Sequence, residues 1–167
     1  HSEFSHRELA YFDEETNEHI VPYVIEPSAG VDRIFLMVLM DAYHEEVVRG
    51  EKRVVLKLKK ELAPIKVAVF PLLRNRPDIV QLAKEIAKML RPHFMTWYDD
   101  TASIGRLYRR QDEIGTPYCI TVDVQSADPN DPRYDGKVTI RDRDTMEQIR
   151  VPVEQIVSVL REKLVEQ

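Results

Sequence analysis

"IKVAVFPLLRNRPDIVQLAKEIAKML", residues 65–90, decides how the rest of the chain is read. Its opening nine residues form a short apolar run suited to a strand buried on both faces. Pro77 then suits the first turn of a helix, where a fixed φ helps and a missing N–H costs nothing. From there Ile79, Leu82, Ala83, Ile86 and Leu90 recur at helical spacing. A buried strand followed at once by an amphipathic helix is the opening of an α/β unit.

Toward the C-terminus the alternation continues. "FMTWYDD" (94–100) reads as a strand, 103–114 as a helix, and "PYCITVDV" (117–124) as a strand, followed by a loop of Asp, Pro and Asn up to Gly136. "KVTIRDRD" (137–144) and "MEQIRVPV" (146–153) read as a hairpin, and Ile156, Val159, Leu160 and Leu164 mark a last amphipathic helix. The expected fold class is α/β, a mixed β-sheet flanked by helices, with no internal repeat. The segment 61–167 has the length of a domain that folds alone.

Toward the N-terminus the text differs. Residues 47–64 are charge-rich and read as a connector ending at Pro64. From Val31 to about Glu46 the pattern is a helix apolar almost all round, which calls for burial on several sides. "PYVIEP" (22–27) suggests a strand that Ser28 to Gly30 would break, and "FDEETNEH" (12–19) a turn that pairs Tyr11-Phe12 with Ile20-Val21. One hairpin, one strand and one greasy helix cannot enclose that helix without neighbours from elsewhere. Residues 1–60 therefore read as a piece of another domain, and the lack of Met at position 1 points the same way.

Of the 167 residues, 43% are hydrophobic and 32% charged, which excludes disorder and a disulfide scaffold. The net charge of −5 divides as −4 over 1–60, +1 over 61–100 and −2 over 101–167, so any nucleic-acid contact must be local rather than a broad basic surface. Cys119 is the only cysteine, which excludes an intrachain disulfide and suits a reducing, cytoplasmic compartment. The apolar run 34–40 is too short to cross a membrane, and no signal-peptide pattern precedes it. His1, His6, His19, His44 and His93 lack metal-ligand spacing, so no structural metal is expected.

Two clusters carry chemistry. In "EPSAGVDR" (26–33), Glu26 and Ser28 sit at the end of the expected strand, Gly30 permits close backbone approach, and Arg33 suits an anionic group. The commonplace alternative is an ion pair between Glu26 and Arg33, with Ser28 as a helix cap. In the helix 103–114, Arg106, Arg109 and Arg110 are spaced to share a face or nearly so, although Asp112 and Glu113 stand ready to neutralise them. Asp123 at a strand end, with Arg141 and Arg143 on the hairpin, completes the set, Asp142 and Asp144 alternating with the two arginines. Trp97 and Tyr98 read as core residues before stacking platforms.

"EPSAGVDR" before a long apolar helix resembles the third signature motif of class II aminoacyl-tRNA synthetases. "LAPIKVAVFPL", "SIGRLYRRQDEIGTPYCITVD" and "VTIRDRDTMEQIR" are similar to the anticodon-binding domain of glycyl-tRNA synthetases of the single-chain dimeric type. The resemblance covers essentially the whole chain. It implies an end of an antiparallel-sheet catalytic domain over 1–60 and an anticodon-binding domain over 61–167. It further implies glycine, magnesium-ATP and glycine tRNA as substrates and a homodimeric parent, with Arg33 on the ATP adenine and γ-phosphate and Glu26 and Ser28 on the glycine ammonium. Asp32 stands where many class II motifs have Glu, and the other two signature motifs lie nowhere in the sequence, so the chain alone is expected to be inactive. A glycine anticodon is rich in cytosine, whose amino group suits Asp or Glu and whose carbonyl and ring nitrogen suit Arg. The competing reading is a non-catalytic binding module of synthetase descent, such as the accessory subunit of the mitochondrial DNA polymerase.

Overall fold

The computed structural model describes residues 1–48 and 50–165. A short helix α1 (Ser2–Ser5) precedes the first hairpin, β1 (Tyr11–Asp13) with β2 (Glu18–Ile20), antiparallel and with Tyr11 opposite Ile20 as the sequence suggests. Asp13 closes its turn by accepting bonds from the Glu15 amide and the Thr16 hydroxyl. Residues 21–30 have no regular secondary structure, so the strand expected at 22–27 is absent. A strand exists only through a partner, Pro22 and Pro27 each remove a backbone donor, and no described strand pairs with this segment.

Helix α2 (Val31–Ala42) stops short of the expected end near residue 46, because the chain turns into strand β3 (Tyr43–Val48). β3 pairs along its whole length with β4 (Glu51–Leu56), Tyr43 opposite Leu56, around a turn in which Gly50 adopts φ 82. The expected connector is thus half of a hairpin. Its charges hide a period of two, since Arg53 and Val55 face inward while Lys52 faces out. The apolar coat of α2 is not buried within this chain: Ile34, Phe35, Leu36, Met37 and Met40 are exposed and only Ala42 is buried.

The rest follows the alternation read from the sequence. β5 (Val67–Pro71), α3 (Pro77–Leu90), β6 (Thr96–Tyr98), α4 (Ile104–Ile114) and β7 (Tyr118–Val122) are followed by a short helix α5 (Val124–Ala127). Then come β8 (Lys137–Asp142), β9 (Gln148–Pro152) and α6 (Ile156–Val165). The sheet order is β6-β5-β7-β8-β9, parallel among the first three strands and antiparallel thereafter. Because β6 and β7 lie on opposite sides of β5, the connecting helices α3 and α4 cover opposite faces.

One face is the main core, where Val67, Val69, Tyr118, Ile120, Ile140 and Val151 pack under α3 and α6 through Ile79, Ile86, Leu90, Ile156 and Leu160. Each such side chain contributes roughly 1.5–3 kcal/mol on burial. The other face carries a smaller cluster of Ala68, Phe70 and Cys119 under Leu107 of α4. Burial pushes the Cys119 thiol well above its ordinary range, which keeps it unreactive. Trp97 departs from the core reading, being half exposed on the edge strand β6, while Tyr98 packs partly into the core and donates to Asp100.

By compactness the chain divides into His1–Ile34 and Phe35–Gln167. The hairpin β3–β4 belongs to the second unit. Gly115 shows how tightly: it ends α4 at φ 82, and a Cβ there would stand 2.9 Å from Leu58 Cδ1 and 3.0 Å from the Leu56 carbonyl.

Candidate nucleic-acid interface

Strand alternation makes the two faces of β7, β8 and β9 chemically different. The buried face is aliphatic and aromatic. On the opposite face the register aligns Cys119, Arg141 and Gln148 in one row and Thr121, Thr139 and Arg150 in the next. Helix α4 lies beside these rows. Its Tyr108 packs edge-on against Phe70 at 5.7 Å and holds its hydroxyl 2.6 Å from Thr121 Oγ1, and burial raises its phenol pKa.

Arg141 is held between two groups. Its guanidinium lies 4.7 Å from the Tyr108 ring centroid and donates to Asp112 at 3.0 and 3.3 Å. Arg53, from β4, reaches the same buried carboxylate at 2.9 Å, donates to the Arg143 carbonyl at 2.5 Å, and bonds Glu46 at 3.0 Å. One buried Asp112 thus bridges two guanidiniums, with Glu46 as the second carboxylate on Arg53, an arrangement that is costly to break once desolvated. Above it opens a cleft of about 390 Å³ lined by Glu51, Gly105, Tyr108, Arg109, Arg141 and Gln148 among others, a volume in the range of small-ligand sites.

The structure brings only some of the sequence candidates together. Arg106 is exposed, with no hydrogen bond or ion pair among the described residues. Arg109 turns to the hairpin and donates at 2.5 Å to both the Lys52 carbonyl and Glu51, whereas Arg110 turns the other way, to Asp99 at 2.9 Å and Thr101 at 2.8 Å. The expected shared face is therefore splayed. Asp112, expected to neutralise these arginines, points inward instead.

Asp123 caps α5, accepting from the Ser126 amide and hydroxyl, and pairs with Arg150 at 2.6 Å. Arg150 also bonds Asp135 at 2.6 Å; burial pulls its pKa down, but the two carboxylates outweigh that and leave it raised. Arg143 is a correction. It is buried, and its donors go to the carbonyls of Gly115 and Leu58 and to Asp144, so a base edge has no access to it. Arg141 escapes its neighbour Asp142 but is taken by Asp112.

Tyr108, Gln148, Arg150 and Glu51 were missed. The alternation of Thr139, Arg141 and of Gln148, Arg150 along two paired segments was the available signal, since it marks one strand face as polar.

In the first unit Glu26, Ser28, Gly30 and Arg33 are all exposed. Neither the Glu26–Arg33 ion pair nor a Ser28 cap is formed among the described residues; Gly30 accepts a bond from the Ile34 amide at 3.1 Å as the first turn of α2 begins. The structure brings these four into no common site. Among the described residues no three His, Cys, Asp or Glu side chains group as metal ligands, and no helix is long and apolar enough to cross a membrane.

The chain is 49% identical over 170 residues to a glycine–tRNA ligase of Corynebacterium glutamicum, a match covering 99% of this chain and 35% of that protein. It is 52% identical to glycine–tRNA ligases of Caldanaerobacter subterraneus and Thermus thermophilus, covering 98% of this chain and 34% and 33% of theirs. The chain thus spans about a third of the length of these relatives. Residues 66–163, which hold the sheet from β5 to β9, α3, α4 and most of α6, match the family described as "Anticodon binding domain", and the chain belongs to that family.

Proposed function

We propose that this chain is the C-terminal part of a glycine–tRNA ligase, in which residues 61–167 recognise the cytosine-rich anticodon of glycine tRNA and residues 1–60 form the end of the catalytic domain. The observation that carries the reading is the polar face of β7–β9 beside α4, where Arg109 and Arg141 line one cleft with Tyr108 and Gln148 in a chain of net charge −5. Such a site attracts phosphates only locally, so its affinity must come from base edges. Guanidiniums supply donors for the cytosine carbonyl and ring nitrogen. Asp123 acts by holding Arg150, and Asp112 by holding Arg141.

The parent joins glycine to tRNA through glycyl-adenylate. In-line attack on the α-phosphate needs positioning and charge neutralisation more than a protein nucleophile. Glu26 and Ser28 accept the protons of the glycine ammonium, Gly30 admits close approach, and Arg33 contacts the adenine and γ-phosphate of magnesium-ATP. This site is completed by upstream chain in a homodimeric, cytoplasmic enzyme. The name shared by the curated relatives favours a ligase over a binding module.

The test is a titration of labelled anticodon stem–loops at fixed salt. The triple variant Arg106→Ala, Arg109→Ala, Arg110→Ala should weaken binding of the glycine sequence markedly, each good base-edge pair being worth about 1–3 kcal/mol. Affinity that ignores both the triple variant and the replacement of cytosines would remove the basis of the proposal.

A further inference from the structure

The cleft beside α4 is bounded on one side by the tip of the β3–β4 hairpin, which lies outside the matched residues 66–163. Its carboxylates are unequal. Asp112 is buried and divided between Arg53 and Arg141, so it has no face left for a ligand. Glu51 is exposed and shares one oxygen with Arg109, leaving Oε1 without a hydrogen bond among the described residues. Around it the same cleft offers donors: the Arg109 guanidinium, held in place by the Lys52 carbonyl, and the exposed Gln148 amide.

Several donors beside one carboxylate complement one base edge. Cytosine presents two acceptors, O2 and N3, followed by the N4 amino donor. Uracil places a carbonyl where cytosine has its amino group, which would set two acceptors against each other over Glu51. We propose that Glu51 is a specificity-determining residue, accepting the exocyclic amino group of an anticodon cytosine while Arg109 donates to the ring nitrogen or carbonyl. The hairpin β3–β4 is then a working part of the reading site. This inference rests on the proposal that the polar face binds the anticodon.

The experiment uses the whole 167-residue chain and fluorescence anisotropy with labelled stem–loops carrying cytosine or uracil at each anticodon position in turn. The readout is the ratio of affinities, because removing a negative charge strengthens phosphate attraction for every sequence alike. The unaltered chain should prefer cytosine at one position by about tenfold or more. Glu51→Gln, whose amide can turn either its oxygen or its nitrogen to the base, should reduce that ratio to about twofold at that position only. An unchanged melting temperature shows that the fold is retained. If Glu51→Gln keeps the full preference while Arg109→Ala weakens binding, the cleft binds RNA but the hairpin does not read it, and the inference is overturned. If the unaltered chain shows no preference and Arg109→Ala changes nothing, the proposal for the face falls with it.

Discussion

Residues 21–30 and strands β5 and β7 all carry β-branched side chains and meet opposite fates. Val24 and Ile25 are 76% and 93% exposed, while every residue of β5 and β7 is buried. Propensity is only part of the difference, since Val21, Val24 and Ile25 are β-branched like Val67, Val69, Ile120 and Val122. The rest is partnership: β5 and β7 bond to each other and to further strands, and helices then cover both faces. The residues proposed for glycine and ATP, Glu26 to Arg33 in one loop and the first turn of α2, need the same kind of support. The polar face of the second unit has it, in Asp112, Tyr108 and the register of β7–β9.

The sharpest way to break this contrast is activity. With the residues proposed for glycine and ATP unsupported, the pure chain should give glycine-dependent exchange of pyrophosphate into ATP at background. Robust exchange would show that the first unit needs no further chain.

A smaller effect concerns the hairpin. A fragment 35–167 should be more stable than a fragment 61–167 by about 3–5 kcal/mol, because removal of Arg53 leaves Asp112 with one partner and removes the Leu58 carbonyl from Arg143. Urea unfolding of the two fragments measures it. Equal midpoints would make β3–β4 a mere tether.

Smaller again is Arg33→Ala in a full-length enzyme, expected to impair adenylate formation by about 1.5–3 kcal/mol and to leave tRNA binding nearly intact. Normal glycine activation by this variant would reduce Arg33 to a surface residue.

The sheet, its helices and the hairpin β8–β9 were legible because each carries a clear period and is bounded by Pro77, Gly115 or Gly136. Strand β4 was not, because Lys52, Arg53 and Lys57 mask the inward positions of Arg53 and Val55; a buried arginine reads as surface until its carboxylate is found. Asp112 lies 59 residues along the chain, beyond any local pattern. The same blindness affected the site. Arg106, Arg109 and Arg110 look equivalent by spacing, yet their partners on β3–β4 and after β6 set them apart. Helix α5, four residues long, announces itself only through the cap at Asp123.

The most direct measurement is hydrogen–deuterium exchange of the whole chain with and without the glycine anticodon stem–loop. Slowed exchange should concentrate in β7–β9, the N-terminal half of α4 and the tip of β3–β4, with α3 and residues 1–34 unchanged. Protection confined to α3 and α6, or absent from β8–β9, would contradict the assignment of the polar face as the surface that reads RNA.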